Sequence, residues 1–558
     1  MRVLSVLLVV VGLLLSAAGG TAAAVVGSDD VLETPTSRVD VGDAAAVTTA
    51  AGLFAFRGAT MHLTASSPDG PVFVGRAHPV DVADWVGAAP RWVITRVDQD
   101  GVAGEGVPGG KDAKAPAAVA DLDLWVDTDT GPKASTLAVR LDGSPTQVVV
   151  VPPEGSSTLD LRMGLAVPGA FATALALLAT GLLMLVVGVL LVVRRRRRVR
   201  AGATPTAGDP AQTGAITSAP VDAPATTGTR LRVAAVALVV PTLLAGCSWV
   251  PEQATAWDPA TVTRPAMTGA DLDRMLAGYD ERNNAAIATT SRTKDPKAWL
   301  AVDDELVLEG DQFSTLAAKV TKAKASTTTL AHTAKALYAP ELHEYPLYAV
   351  AAVEVKRTDK AATGDAAKPA TDIDVWTRRS VSEPWRMAAT VGLPEKVTAP
   401  KALAPGAAST ATAADRAAAV KAAERVRTYL GGGKATGLTV DRFLPDLRAG
   451  ASIRNAKGVT HRLDARWAND AEDQASATGS VRTARTGDGT LAVVSLLARE
   501  TFAVGSGSTL HWDEPYGTVL GQSGDRPSLS RDLGVTVVLL VPAKGAARVL
   551  SSEWTTLG

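Results

Sequence analysis

The residues best suited to chemistry are thinly spread along this chain. Its histidines are His62, His78, His332, His343, His461 and His511. No two of them have a helical or hairpin ligand spacing with a third donor nearby, so neither a zinc nor an iron site is expected. The densest polar-aromatic cluster is HWDEPYG, where His511, Asp513 and Glu514 stand beside Trp512 and Tyr516. Such a cluster could orient a ligand or bind a cation, but its simplest reading is a structured loop with the two rings as packing groups. His343-Glu344-Tyr345-Pro346 reads first as the entry to a strand. Gly104 to Gly109, GEGVPG, has the letters of a dinucleotide fingerprint without the strand before or the helix after, and reads as a loop. LGGGKA at 430–435 lacks the phosphate-loop spacing, and helix termination accounts for its glycines. The acidic run DDELVLEGD from Asp303 to Asp311 lacks calcium-loop register and reads as a solvated face. Neither a nucleophile elbow nor a serine–lysine pair is present. No catalytic residue, metal ligand or cofactor is therefore assigned, and the expectation is a protein that is not an enzyme. One reactive group is left over, Cys247 in TLLAGCSW, the single cysteine of 558 residues.

What surrounds these residues is bounded by composition. A chain of this length forms several domains. Its 56 Lys and Arg against 57 Asp and Glu leave a net charge of -1, so no overall field draws it to nucleic acid. Aromatics make up 4% of the chain, which suits several modest cores.

Apolar residues concentrate in three blocks. At the N-terminus Arg2 precedes the apolar stretch Val3 to Leu15, then small residues with Ala22 and Ala24 in an A-x-A arrangement. This is the form of a secretory signal peptide, and cleavage near Ala24 is expected, with an uncleaved anchor as the alternative. The second block, Phe171 to Val193, carries no charge and is followed by Arg194, Arg195, Arg196, Arg197, Arg198 and Arg200. As a helix it reaches roughly 34 Å, enough to span a bilayer, and the arginines stay on the cytoplasmic side. Residues 201–229 are rich in Ala, Thr, Gly and Pro and read as a linker. The third block has basic Arg230 and Arg232, an apolar run from Val233 to Leu244, and then Leu244-Ala245-Gly246-Cys247.

This last pattern resembles a bacterial lipoprotein signal ending in a lipobox. The resemblance implies a lipid on the Cys247 sulfur and a cut just before it; two acyl chains would give a stable anchor. The alternative is a plain second span over Val233 to Val250, with Cys247 as a small apolar residue in it. Either way blocks two and three form a hairpin with a cytoplasmic linker, and residues 251–558 lie outside. Because such a signal belongs at a chain's beginning, the sequence looks like two proteins fused. A cut before Cys247 would separate them; a second translation start, for example at Val221, is the rival.

Between the first two blocks, strands are expected at 53–56, 61–64, 71–75, 91–97, 122–126, 135–143 and 146–151, with Asp142-Gly143 as a turn and a short helix from Asp81 to Trp85. The order PVFVG, VDVADWV, LWV and TLAVRLDG before a span and an arginine tail resembles an uncharacterised family of membrane proteins from high-GC Gram-positive bacteria. The likeness covers about residues 50–198 and implies no catalytic residues.

The C-terminal region reads as two α+β halves. Thr268 can cap a helix that presents Leu272, Met275, Leu276 and Tyr279 on one face, with Asp271 near its dipole. Thr412 can cap another that presents Ala419, Ala423, Val426 and Leu430 and stops at Gly431. Strands follow at 348–357 and 375–379, and at 490–504 and 533–541, and each half closes on a strand near Trp385 or Trp554. One helix on an antiparallel sheet loosely resembles the cystatin-like or NTF2-like cone.

The expected molecule is multidomain and membrane-anchored. A signal peptide (1–24) precedes an exported β-rich ectodomain (25–165), a transmembrane helix (166–193) and a cytoplasmic tail and disordered linker (194–229). A signal or second helix (230–250) then leads to tandem α+β lobes at 251–398 and 412–558, joined by 399–411. Its expected role is non-catalytic binding or scaffolding at the outer face of the cytoplasmic membrane. Membrane lipids and other envelope proteins are the partners, and nucleic acid is not. A solute-binding lipoprotein with a cavity in one C-terminal lobe is the runner-up.

Overall fold

A computed structural model describes residues 2–111, 113, 116–119, 122–201, 252–359, 364, 368–404, 407, 409–450, 458–468 and 479–557. Arg230, Arg232 and the lipobox residues Leu244, Ala245, Gly246 and Cys247 lie outside the described residues. The chain is β-rich, with several sheets and two long apolar helices, and it divides into two compact units. Unit 1 is Met1–Ala118 with Leu124–Pro259, and unit 2 is Val119–Asp123 with Ala260–Gly558.

Unit 1 begins with helix α1 (Arg2–Val26) and ends its folded course with helix α3 (Ala170–Ala201). Both are long and apolar enough to cross a membrane. Between them lie strands β1 (Val31–Glu33), β2 (Ser37–Asp40), β3 (Ala46–Thr49), β4 (Phe56–Ser66) and β5 (Val72–Ala77), the short helix α2 (Pro79–Val86), then β6 (Arg91–Asp98) and β7 (Gly101–Val107). Four more follow, β8 (Asp127–Gly131), β9 (Ala134–Asp142), β10 (Gln147–Val151) and β11 (Thr158–Ala166), and β12 (Glu252–Gln253) joins after α3. One sheet takes β1, β2, β4, β9, β11 and β12; the other runs β7-β6-β3-β10-β5-β8. Alternation along β9 shows why they stack. Leu137, Val139 and Leu141 are buried while Thr136, Ala138 and Arg140 face out, and the inward set meets Val72, Val74, Val148 and Val150 of the other sheet in one core.

Three expectations for this region change. Residues 53–55, expected within a strand at 53–56, are not strand, and β4 starts at Phe56. GEGVPG supplies most of a strand, β7, because its glycines let β6 approach closely: a Cβ on Gly104 would lie 2.1 Å from the Val93 carbonyl oxygen. The segment expected as a strand at 122–126 is not one; the strand starts at Asp127, while Trp125 packs edge-on against Phe73 and Trp85 at ring distances of 5.0 and 5.7 Å.

Unit 2 has four layers. Strands β13 (Arg264–Pro265) and β15 (Glu341–Leu342) form a small ribbon. Helix α4 (Gly269–Thr293) opens with the expected capping box, Thr268 with Asp271. A short 3-10 turn (Pro296–Ala301) leads to helix α5 (Glu305–Val320), which the sequence reading did not foresee. The first large sheet is β14 (Leu330–Tyr338), β16 (Leu347–Arg357), β17 (Ala370–Arg378) and β18 (Arg386–Gly392), in that order. Helix α6 (Ala413–Leu430) has its own capping box, Thr412 with Asp415. The second large sheet comprises β19 (Leu438–Thr439), β20 (Val459–Trp467), β21 (Val481–Thr486), β22 (Gly489–Val504), β23 (Ser528–Val541) and β24 (Ala547–Leu557). Short helices α7 (Phe443–Arg448) and α8 (Tyr516–Val519) fill its connections.

Alternation explains the layering. On β16, Leu347, Ala349, Ala351 and Val353 pack under α4, while Val350 and Ala352 turn to the other sheet. On β23, Leu533, Val535 and Val537 pack under α6, while Val538 and Leu540 turn back to meet β17 and β18 residues such as Val375 and Val391. Helix, sheet, sheet, helix is the result. The two ends of the segment expected as a joint are built into this unit: the Tyr338 hydroxyl donates to the Pro400 carbonyl, and Ala411 is buried.

Candidate functional site

Two concave places among the described residues of unit 2 bear on function. The larger is a pocket of about 330 Å³ at the end of the second large sheet, under the loop that joins β22 to β23. Strand register builds its floor. His461 pairs with Phe502, Phe502 with Leu529, and Glu500 with Arg531, so these side chains share one face at the end of the sheet. Glu500 is 1% exposed and accepts from Arg531 Nε at 2.7 Å and lies 3.0 Å from His461 Nε2. A buried carboxylate of this kind needs such partners, since either ion left alone would be strongly destabilising. The loop closes as a ribbon through paired backbone bonds between Leu510 and Arg526, at 2.7 and 2.8 Å. It lowers Trp512 onto the floor, while Tyr516 packs against Phe313 of α5 at a ring distance of 5.5 Å. The Arg531 guanidinium lies 5.4 Å from the Trp512 ring and 5.0 Å from the Trp554 ring, a double cation–π stack. Phe502 meets Trp512 edge-on at 5.7 Å. The Trp512 indole N–H is buried without a hydrogen-bond partner among the described residues, a donor with nothing to give to.

The HWDEPYG cluster thus has a double outcome. Trp512 and Tyr516 pack as expected, yet His511, Trp512, Asp513 and Tyr516 also line the pocket. Glu500 and Arg531 went unremarked in the sequence. The signal was available, because Arg499-Glu500 and Arg531-Asp532 interrupt two apolar strands, but only the register shows that Glu500 and Arg531 face each other.

The second place is a cleft of about 180 Å³ where α5 meets β18, β23 and β24, lined among others by Asp311, Thr390, Glu553 and Trp554. Behind it lie carboxyl groups with few cations to balance them. Asp303 is 1% exposed and accepts from the Tyr279 hydroxyl at 3.2 Å. Asp311 stands beside it, and two buried carboxyls this close do not both stay ionised. Burial raises Asp303, and the neighbouring Asp311 charge raises it further; burial raises Asp311 as well, partly opposed by the Asp303 carboxyl. Asp374 accepts from Thr390 Oγ1 at 2.7 Å, and burial, with Asp372 nearby, pushes it up to about 7. Burial, with Glu553 nearby, pushes Asp372 up to about 6. The acidic run at Asp303 to Asp311 is therefore no solvated face. Asp303 and Asp304 are closed in where the chain turns into α5, and Asp304 pairs with Arg379.

The sequence-assigned topology residues fall elsewhere. Ala22 and Ala24 lie within α1, and Arg194 to Arg198 and Arg200 lie within the last turns of α3, where Arg194 to Arg197 are exposed. Among the described residues, no group of three or more His, Cys, Asp or Glu side chains is arranged to hold a metal ion. No protein-family model matches the chain, and no curated protein matches it.

Proposed function

We propose that this is a non-catalytic binding protein of the bacterial cell envelope, held in the cytoplasmic membrane with its β-rich domain and its C-terminal α+β unit on the outer side. The observation that carries the binding role is the pocket over Arg531, where aromatic walls and a stacked guanidinium converge. Arg531 is already neutralised by Glu500, so the pocket suits a molecule with an apolar or flat face and a hydrogen-bond acceptor rather than a bare anion. A cystatin-like or NTF2-like ancestry for each half, lipid attachment at Cys247, and membership of the uncharacterised family resembled by residues 50–198 all fit this reading. Scaffolding of other envelope proteins is the alternative when no small ligand is found.

The test is calorimetric titration of the detergent-purified full chain with a panel of soluble cell-wall sugars and short peptides. Trp512→Phe keeps an aromatic group but removes the second fused ring that stacks on Arg531, together with the indole N–H. It should weaken the ligand that binds by about threefold to tenfold, the worth of roughly 1 kcal/mol of lost contact. Equal affinity in wild type and variant would remove the pocket from the proposal.

A further inference from the structure

The N-terminal helix α1 packs closely along α3. Along α1 the buried positions among the described residues are Ser5, Gly12 and Gly19, and along α3 they are Ala174, Gly181 and Gly188. Both sets repeat every seven residues, the spacing that keeps one seam of a helix against its neighbour in a left-handed pair. The pairing is antiparallel: Gly19 abuts Ala174 and Leu178, Gly12 abuts Gly181 and Leu185, and Gly188 abuts Ser5 and Val9. Contact is backbone to backbone. A Cβ on Gly19 would lie 2.4 Å from the Leu178 nitrogen, and one on Gly181 would lie 2.5 Å from the Ser16 nitrogen. Small residues at such a seam are how helices associate in lipid, where apolar burial gives no drive. The outward positions are apolar: Leu13, Leu14, Leu183 and Leu190 are 58, 62, 65 and 59% exposed.

A second observation concerns the join to the sheet. Asp30, in the left-handed region at φ 59°, accepts from the Gly169 and Phe171 backbone N–H groups at 2.9 and 2.8 Å and so caps α3. Those N–H groups hold its carboxyl below the ordinary range. One residue on, β1 pairs with β11, the strand that leads into α3. The chain therefore leaves α1 and is fastened at once to the base of its partner helix. A third observation is charge: in an antiparallel pair Arg2 and Arg194 to Arg197 come to the same end, as the preference of basic residues for the cytoplasmic side demands.

We infer that α1 is not removed. Together α1 and α3 form a two-helix membrane hairpin that holds the β-rich domain of unit 1 by both its ends, with the N-terminus in the cytoplasm. Cleavage near Ala24 would cut within the last turn of α1 and strip the glycine seam of α3 bare.

The experiment uses the full chain with an N-terminal epitope tag, isolated from bacterial membranes. Retention of the tag on the membrane protein, accessible only after the membrane is permeabilised, is the expected result. Loss of the tag with a new N-terminus between about residues 20 and 30 overturns the inference. Gly19→Leu supplies an independent reading. It should lower the thermal midpoint of the detergent-purified protein, while Leu13→Ala on the outward face should leave it unchanged; equal midpoints for Gly19→Leu and wild type would mean that the seam is not formed.

Discussion

Asp374 shows how a single buried acid can set the pH response of a fold. One oxygen is satisfied by Thr390 and the other has no partner among the described residues, so the neutral form is the cheaper one to bury. Its affinity for a proton rises from the ordinary 3.8 to about 7. Because the folded-state value lies above the unfolded one, the stabilisation is complete below pH of about 4 and drains away as pH rises to about 7. Asp372, Asp303 and Asp311 are raised too and act in the same direction. Denaturant unfolding should therefore give a lower stability at pH 8 than at pH 5. Asp374→Asn, which keeps the acceptor for Thr390, should recover part of the difference, at most about 3 kcal/mol, because only the roughly two units between pH 5 and about 7 count in this window at 1.36 kcal/mol per unit. A variant with the wild-type slope would show that Asp374 is charged in the folded state. None of this was legible in DDELVLEGD or in DIDVW, because an acid beside apolar residues looks the same whether one face of its strand or helix is wet or both are covered. The Arg531 pocket was half legible for a related reason: HWDEPYG announces a polar-aromatic loop, whereas its floor comes from strands whose register no local pattern states.

Helix ends were the most legible elements. Thr268 and Thr412 each stand three residues before an aspartate and just ahead of an apolar stripe, and both form full capping boxes. Thr412→Ala should cost about 1 kcal/mol of unit 2 stability, measured by the same unfolding. Runs such as TVVLLV were legible as strands but not as doubly covered ones; they lack alternation because α6 takes one face and the first sheet the other. Helix α5 is hard to read from sequence since acidic residues crowd its first two turns and Gly310 interrupts its apolar residues. It wedges against β24 at Gly310, where a Cβ would come within 2.8 Å of the Thr555 hydroxyl. Gly310→Leu should accordingly cost about 1 to 3 kcal/mol by overpacking, more than the lost cap. The N-terminal helix outruns its leading apolar stretch: Val3 to Leu15 alone is short, but after Arg2 no charge occurs until Asp29, and α1 at about 1.5 Å per residue spans roughly 37 Å.

At the scale of the whole chain the informative element is the small strand β12. It pairs Glu252 with Arg57 and Gln253 with Phe56, and Ala254 N–H donates to the Ala55 carbonyl at 2.8 Å, so the first described residues after 251 complete the sheet of unit 1. Its position along that sheet matters. β11 runs toward α3 and its last residue, Ala166, faces Thr60; Phe56 and Arg57 lie further along β4 in the same direction, on the helix side. If α1 and α3 span the bilayer, Glu252 sits at the membrane-facing end of unit 1, and the four residues from 248 to 251 can reach at most roughly 17 Å to Cys247. A lipid on that sulfur is thereby within reach of the surface. Labelled fatty acid should be incorporated, and Cys247→Ser should abolish incorporation. A cut before Cys247 should release two tagged fragments that still purify together in mild detergent, because β12 remains paired with β4. Ala254→Pro, which removes the N–H given to Ala55, should loosen that association. A single full-length band, unlabelled and indifferent to an inhibitor of lipoprotein signal peptidase, would instead make residues 233–250 a third span, with β12 as its exit onto the same sheet edge.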